Sequence, residues 1–269
     1  MKTFHLPDVK GFEINYYLHK NNSLNPPKVF PPHTHDMLEI YFHISGDASF
    51  MVGDEIYKLS PGECIVSRPN EVHNCILNTT SEHSHACAWI NSPSGFGISE
   101  FLSEKYDNNH RIVLSPENWG KTLQLLETLD NSSDELVLLG ATINILSIFK
   151  TCARSHTQTA PVPEILSTII ADINENFREI QFVEDILHKY YISKSTLSRL
   201  FRKFLQTSPK IYLETKKLAY SRILLKRGEN VQDACFMSGF SDYSGYIRTF
   251  KKHFGITPGK YKQKDVVSV

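Results

Sequence analysis

Between Leu38 and Ile44 the hydrophobic residues fall on every second position. Leu38, Ile40, Phe42 and Ile44 take one face of an extended strand, and Met37, Glu39, Tyr41 and His43 take the other. Short stretches rich in β-branched and aromatic residues recur through residues 1–115. Turn chemistry separates them at Asn25-Pro26-Pro27, Pro31-Pro32, Ser45-Gly46-Asp47, Gly53-Asp54, Ser60-Pro61-Gly62 and Arg68-Pro69-Asn70. A spacing of roughly 8–12 residues between turns predicts an all-β sandwich or barrel.

After Ser115 the period lengthens to that of a helix. Trp119, Thr122, Leu123, Leu126 and Leu129 define one apolar stripe, and Leu136, Leu139, Ile143, Leu146 and Phe149 a second. Asn131-Ser132-Ser133-Asp134 breaks the two and caps the second. This pair, over residues 116–152, either covers the β-domain or forms a dimer interface. Residues 153–163 (ARSHTQTAPVP) carry no periodicity and read as a linker. Everything from Glu164 onward reads as helix, interrupted at Ser193, Ser208-Pro209, Arg227-Gly228-Glu229-Asn230, Gly239 and Gly255.

The helical part repeats itself at an offset of 49 residues. Arg199 maps to Arg248, Phe201 to Phe250, Lys203 to Lys252, Ser208 to Thr257, Pro209 to Pro258 and Tyr212 to Tyr261. In the first copy Ser193 caps a helix whose buried stripe is Leu197, Leu200, Phe201 and Phe204. Ser195, Ser198, Arg199 and Arg202 then lie opposite, behind a short turn at residues 190–192. In the second copy Tyr246 and Phe250 face inward, leaving Tyr243, Ser244, Ile247, Arg248 and Lys251 outside. A short turn followed by a small-headed, basic helix is the build of a helix-turn-helix reader, in which Arg contacts guanine or phosphate. Lys203 and Lys252 lie just off these faces and fit phosphate contacts.

Charge sharpens the division. The formal net charge is zero, yet residues 161–269 hold 18 Lys/Arg against 11 Asp/Glu, and residues 1–160 hold 11 against 18. Between Lys189 and Arg227 there are eleven basic residues and one acid, Glu214. A polyanion partner and a solvated basic face both account for this excess, and the repeat favours the polyanion. The five cysteines (Cys64, Cys75, Cys87, Cys152 and Cys235) contain no C-x-x-C pair and read as reduced thiols. No apolar run approaches the roughly 18–20 residues that span a bilayer, so no membrane association is expected and a cytoplasmic location is.

SKSTLSRLFRKF followed by SPKIYL, then Gly239-Phe240-Ser241-Asp242 and TFKKHFGITPGKY, resemble the AraC/XylS-type DNA-binding domain over residues 182–261. The resemblance implies a transcription regulator with two helix-turn-helix units. Departures fall mainly in the first unit. Leu187 stands where the family usually has Ala, and Tyr191 and Gln206 replace turn glycines. Lys217 and Ser221 stand where the linking helix typically shows Arg and Ala. A bulky residue such as Tyr191 in a glycine position implies positive φ at steric cost.

His33-x-His35-x-x-x-Glu39, with Gly46 seven residues on, resembles the first half of a cupin signature. These three share parity, so an extended strand points them one way. With His73 as a fourth ligand they match donors for Fe, Mn or Ni. The second half departs from the pattern, because Glu71 intervenes between Pro69 and His73 where Gly is expected. The same run also resembles the effector-binding domain that precedes this type of DNA-binding domain, which implies a metal-free pocket. On that reading His33, His35, Glu39, Tyr41 and His73 hydrogen-bond a small polar molecule such as a sugar. His83 and His85 read as a structural pair.

The expectation is therefore two domains: an N-terminal all-β cupin-like barrel (1–115) followed by two helices (116–152), a linker, and a C-terminal all-α double helix-turn-helix domain (164–269). The expected DNA contacts are Ser195, Ser198, Arg199, Arg202, Lys203, Tyr243, Ser244, Arg248, Lys251 and Lys252. The function expected is ligand-responsive activation of transcription, without enzymatic activity or cofactor. Partners would be double-stranded DNA, a small effector, a second copy of the chain and, for an activator, RNA polymerase. The alternatives are a cupin metalloenzyme fused to a nucleic-acid-binding module, with metal on His33, His35, Glu39 and His73, and an architectural DNA binder.

Overall fold

A computed structural model describes residues 2–5, 13–19, 31–79, 82–91, 109–152 and 162–266. The turn expected at residues 25–27 and most of the expected linker (153–161) lie outside these residues. Contacts divide the chain into two compact units: residues 1–30 with 35–160, and residues 31–34 with 161–269.

In the first unit two antiparallel sheets are built from nine described strands: β1 (Lys2–His5), β2 (Glu13–His19), β3 (Leu38–Ser45), β4 (Ala48–Val52), β5 (Glu55–Lys58), β6 (Glu63–Ser67), β7 (His73–Leu77), β8 (Ser84–Asn91) and β9 (Arg111–Val113). One sheet runs β1-β2-β8-β3-β6-β9 and the other β5-β4-β7. β3 is central. Leu38, Ile40 and Phe42 join Ile14, Tyr16, Ala88 and Ile90 in one core, while Tyr41 joins Phe50, Tyr57 and Ile65 in another. The alternation in β3 thus separates two buried environments, where a half-solvated strand would have shown one buried face. Gly46 (φ +100°) turns the chain after β3. A Cβ there would lie 2.7 Å from the Glu82 carbonyl oxygen, so the turn requires glycine.

Helices α1 (Pro116–Asn131) and α2 (Glu135–Thr151) supply Leu126, Leu129, Leu138, Ile145 and Phe149 to the core behind Phe42. Asp134 caps α2 by accepting from the backbone N–H groups of Leu136 and Val137, as the polar break predicts. The Tyr16 hydroxyl donates to the Leu126 carbonyl and ties α1 to β2. The pair therefore covers the sheet, while Leu136, Val137 and Ile143 stay exposed.

In the second unit the repeat becomes geometry. Its helices are α3 (Glu164–Asn176), α4 (Val183–Lys189), α5 (Lys194–Leu205), α6 (Pro209–Lys226), α7 (Val231–Met237), α8 (Tyr243–Phe254) and α9 (Pro258–Val266). α5 and α8 begin and end 49 residues apart, and α6 and α9 begin 49 residues apart. Phe201 meets Tyr212 at 5.8 Å and 72°, and Phe250 meets Tyr261 at 5.7 Å and 72°. Each copy thus closes on the same edge-to-face aromatic pair. The turn between the two short helices is one residue longer in the second copy.

Asp172 of α3 holds α4 in place, accepting from Asn176 and from Lys189 Nζ, each at 2.7 Å. Burial pushes its carboxyl pKa up, but hydrogen bonds from Lys189, Asn176 and Tyr190 outweigh that and leave it below the usual value. The unfolded chain then binds the proton more readily, so this stabilisation is present above the ordinary carboxyl pKa and lost as pH falls through the native one. Asp172→Asn should cost about 1–2 kcal/mol at pH 7 and nothing once acid has protonated the native carboxyl, as read by urea unfolding across pH.

Candidate nucleic-acid interface and buried polar centre

Each of the two basic helices, α5 and α8, is positioned by its cap and its buried stripe. Ser193 Oγ accepts from the Thr196 N–H at 3.1 Å, and Asp242 Oδ1 from the Ser244 N–H at 3.0 Å. Leu197, Phe201 and Leu205 bury α5, while Tyr246 and Phe250 bury α8. Opposite them Ser195, Arg199, Arg202 and Lys203 are exposed and Ser198 is half-buried, and these five line one shallow depression. On α8, Tyr243, Ser244, Arg248, Lys251 and Lys252 are exposed. Ile247, expected outside, instead packs half-buried on the α6–α8 core. Arg248 rests 3.7 Å from the Asp242 carboxylate, whereas no carboxylate meets Arg199 among the described residues. The two faces share their plan and differ in electrostatic setting.

Tyr191 has φ +50° and Gln206 φ +52°, the left-handed conformation implied by their glycine positions. In the second copy Gly239 (φ +86°) and Gly255 (φ +77°) occupy the matching places. The Tyr191 side chain is 98% exposed, so no packing offsets its strain.

In the first unit a buried carboxylate organises the polar residues. Glu39 Oε2 accepts from Trp89 Nε1 at 2.6 Å and faces His35 Nε2 at 2.7 Å and His73 Nε2 at 3.2 Å. His35 Nδ1 meets the Met37 carbonyl and His73 Nδ1 the Glu71 carbonyl, each at 2.9 Å. A carbonyl only accepts, so both Nδ1 atoms carry protons and both Nε2 atoms are aimed at the carboxylate. The Asn70 N–H donates to the His35 carbonyl, binding the loop before His73 to the segment just before β3. Burial opposes charge on both partners, but attraction between Glu39 and His73 and the hydrogen bonds around them prevail. Glu39 is held well below the usual carboxyl range and His73 above the usual imidazole value. Together they form a buried ion pair.

Two imidazoles and a carboxylate, with donor atoms within 4.8 Å and each ring fixed through Nδ1, fit a divalent cation as well as a shared proton. The neighbouring thiols, Cys75 and Cys87, lie outside that donor group. Burial pushes Cys75 up to about 12 and Cys87 well above its ordinary value. Of the five residues expected to bind ligand, the barrel brings together His35, Glu39 and His73. Tyr41 shares β3 with Glu39 but bonds elsewhere, its hydroxyl 2.9 Å from His83 Nε2 and 3.4 Å from Cys75 Sγ. His33 lies just before His35, its Nδ1 3.1 Å from the Pro31 carbonyl.

Trp89, the donor that completes the Glu39 site, was not a candidate in the sequence. It shares parity with His83, His85 and Cys87, and lies opposite Glu39 in the β3–β8 register. His83 and His85 do pair, with ring centroids 4.9 Å apart, and His85 stacks on Tyr41 at 5.3 Å and 17°.

Two copies of a short helix, a turn and a basic exposed helix, in a chain that also carries a barrel with a buried polar centre, define a DNA-binding regulator with an attached small-molecule domain. A helix-turn-helix domain model matches residues 187–264, and a cupin domain model matches residues 23–90. The chain is 24% identical to the uncharacterized HTH-type transcriptional regulator YbfI of Bacillus subtilis, over 80% of each chain. It is 21% identical to the Msm operon regulatory protein of Streptococcus mutans, over 96% of this chain and 95% of that one. With the lactose operon transcription activator of Staphylococcus xylosus it shares 24% identity, over 81% and 80% respectively. The chain is thus similar to AraC-type helix-turn-helix transcription regulators, with a cupin domain ahead of the helix-turn-helix domain.

The strain at Tyr191 sets a direct expectation. Tyr191→Gly should raise the stability of the helical unit by about 1 kcal/mol, seen as a higher urea midpoint at unchanged slope.

Proposed function

We propose that this regulator activates transcription in response to a small polar molecule, a sugar or a close chemical relative, held at the Glu39 centre. The observation that carries the DNA-binding part is the two-fold recurrence of cap, buried stripe and aromatic pair beneath unlike basic faces. The effector part rests on a buried carboxylate and two oriented imidazoles, the polar equipment a hydroxylated ligand requires. The lactose operon transcription activator among the relatives supports both a sugar and activation. The exposed Leu136, Val137 and Ile143 on α2 support a homodimer, and an activator would engage RNA polymerase. Among the described residues no helix is long and apolar enough to cross a membrane.

The ligand contacts would be His35, Glu39 and His73, with Tyr41 and His33 as the further candidates. Metal analysis of protein purified without chelator tests the competing reading. About one equivalent of Fe, Mn or Ni would favour a metalloenzyme joined to a DNA-binding module. A thermal-shift screen of sugars and other small metabolites tests the effector, and stabilisation by none would favour an architectural DNA binder.

The proposed reading faces are tested by substitution. Arg199→Ala and Arg248→Ala should each cost about 1–3 kcal/mol on the specific site and relax preference at one base position. Lys203→Ala and Lys252→Ala should weaken all duplexes alike and make the log–log salt dependence shallower by about one unit. Binding to operator and scrambled duplex across a salt series separates these outcomes, and equal losses on both duplexes for the Arg variants would refute base reading. For the effector, Glu39→Ala or His73→Ala should weaken ligand binding by about 0.5–1.5 kcal/mol while leaving ligand-free DNA affinity nearly intact. A normal ligand response would place the cavity elsewhere in the barrel.

A further inference from the structure

α6 joins the two reading copies as a single 18-residue helix, roughly 27 Å long at 1.5 Å per residue. A rod fixes a distance but leaves rotation of the second copy open, because the turn at residues 227–230 intervenes before α7. The copies face each other across a cleft of about 630 Å³, with Phe182, Lys194 and Ser198 on one side and Asp242, Gly245 and Thr249 on the other. Contact across the cleft alone therefore gives the second reading helix little to register against.

Lys217 lies on α6 and lines this cleft, yet it is only 3% exposed. Its Nζ donates to the Gly239 carbonyl at 2.6 Å and stands 5.7 Å from the centre of the Phe240 ring. Gly239 is the left-handed turn residue of the second copy, at φ +86°. The same residue is pinned from its other side. A Cβ on Gly239 would lie 2.6 Å from the Arg178 carbonyl oxygen, in the connection between α3 and α4. The turn that aims α8 is thus gripped between the linking helix and the first half of the unit. The matching turn residue of the first copy, Tyr191, projects into solvent.

We propose that Lys217 is the positioning residue that sets α8 relative to α5, and thereby fixes the separation of the two base blocks that the chain recognises. This rests on the reading of α5 and α8 as DNA-reading helices. One base pair of extra separation moves a block about 3.4 Å along the duplex and about 35° around it, so a rigid pair of helices tolerates one spacing. The ammonium is an expensive means of filling space. Burial lowers its pKa to about 8, with Asp185 and Glu214 acting in the opposite direction. A methionine of similar length would occupy the same volume without that desolvation, so the charge answers to a need other than packing.

The test uses the full-length chain and duplexes selected by the wild type from a random pool. Wild type is expected to select two base blocks at one spacing. Changing that spacing by one base pair should weaken binding at least about tenfold. In Lys217→Met the same change should cost no more than about twofold, with both blocks still recognised, and Lys217→Arg should restore most of the penalty. Lys217→Gln, polar but too short to reach Gly239, should behave like the Met variant and decides the matter if the Met variant does not fold. An unchanged spacing penalty in a folded Met or Gln variant would overturn the proposal. So would loss of folding in both, since Lys217 would then serve the fold itself. If the wild type selects no sequence blocks at all, it is base reading that fails.

Discussion

Burying the charge of Glu39 is the constraint around which the barrel is arranged. A carboxylate removed from water needs donors, and here each donor comes from a different part of the chain. Trp89 can reach it only if β8 lies beside β3 in a register that sets residue 89 opposite residue 39. His73 can reach it only if the turn after β6 returns the chain at the start of β7. His35 reaches it from the segment just before β3, and the Asn70 N–H ties that segment back to the same turn. The alignment of three strands and the shape of one turn are thereby linked to the solvation of a single side chain. The cluster that would meet a ligand is also what holds the strands in place.

The helical unit follows a different logic. Its reading faces depend on purely local features, a capping hydroxyl or carboxylate and an apolar stripe, and each was available in a dozen consecutive residues. That is why the 49-residue offset survives into the coordinates of α5 and α8, and why Tyr191 and Gln206 have the positive φ that their glycine positions imply. Ile247 was misplaced because a helical wheel does not show how far the neighbouring core of α6 and α7 reaches around α8.

In the barrel, strand parity placed His35, Glu39 and Tyr41 together but did not separate them along the strand. Tyr41, two residues further on, falls to His83 and Cys75. Trp89 was missed because its importance lies in its cross-strand partner, which no local pattern carries. Tyr41 and His43 lie on the less apolar face of β3, yet Tyr41 joins a second buried core and His43 is buried as well. Lys217 stood out in the sequence only as a departure from a family preference. Its grip on Gly239 joins positions 22 residues apart through the tertiary fold.

The two copies are alike in scaffold and unlike in what they present. One offers Ser195, Arg199 and Arg202 beside a strained tyrosine turn, and the other Tyr243, Ser244 and an Arg248 leaning on Asp242. A symmetric pair of identical faces reads the same from either end of a duplex. Two dissimilar faces in tandem on one chain do not. With both faces reading DNA as proposed, a single molecule seated on such a site would have a front and a back, and the sequence that seats it would also set which way it points along the chromosome.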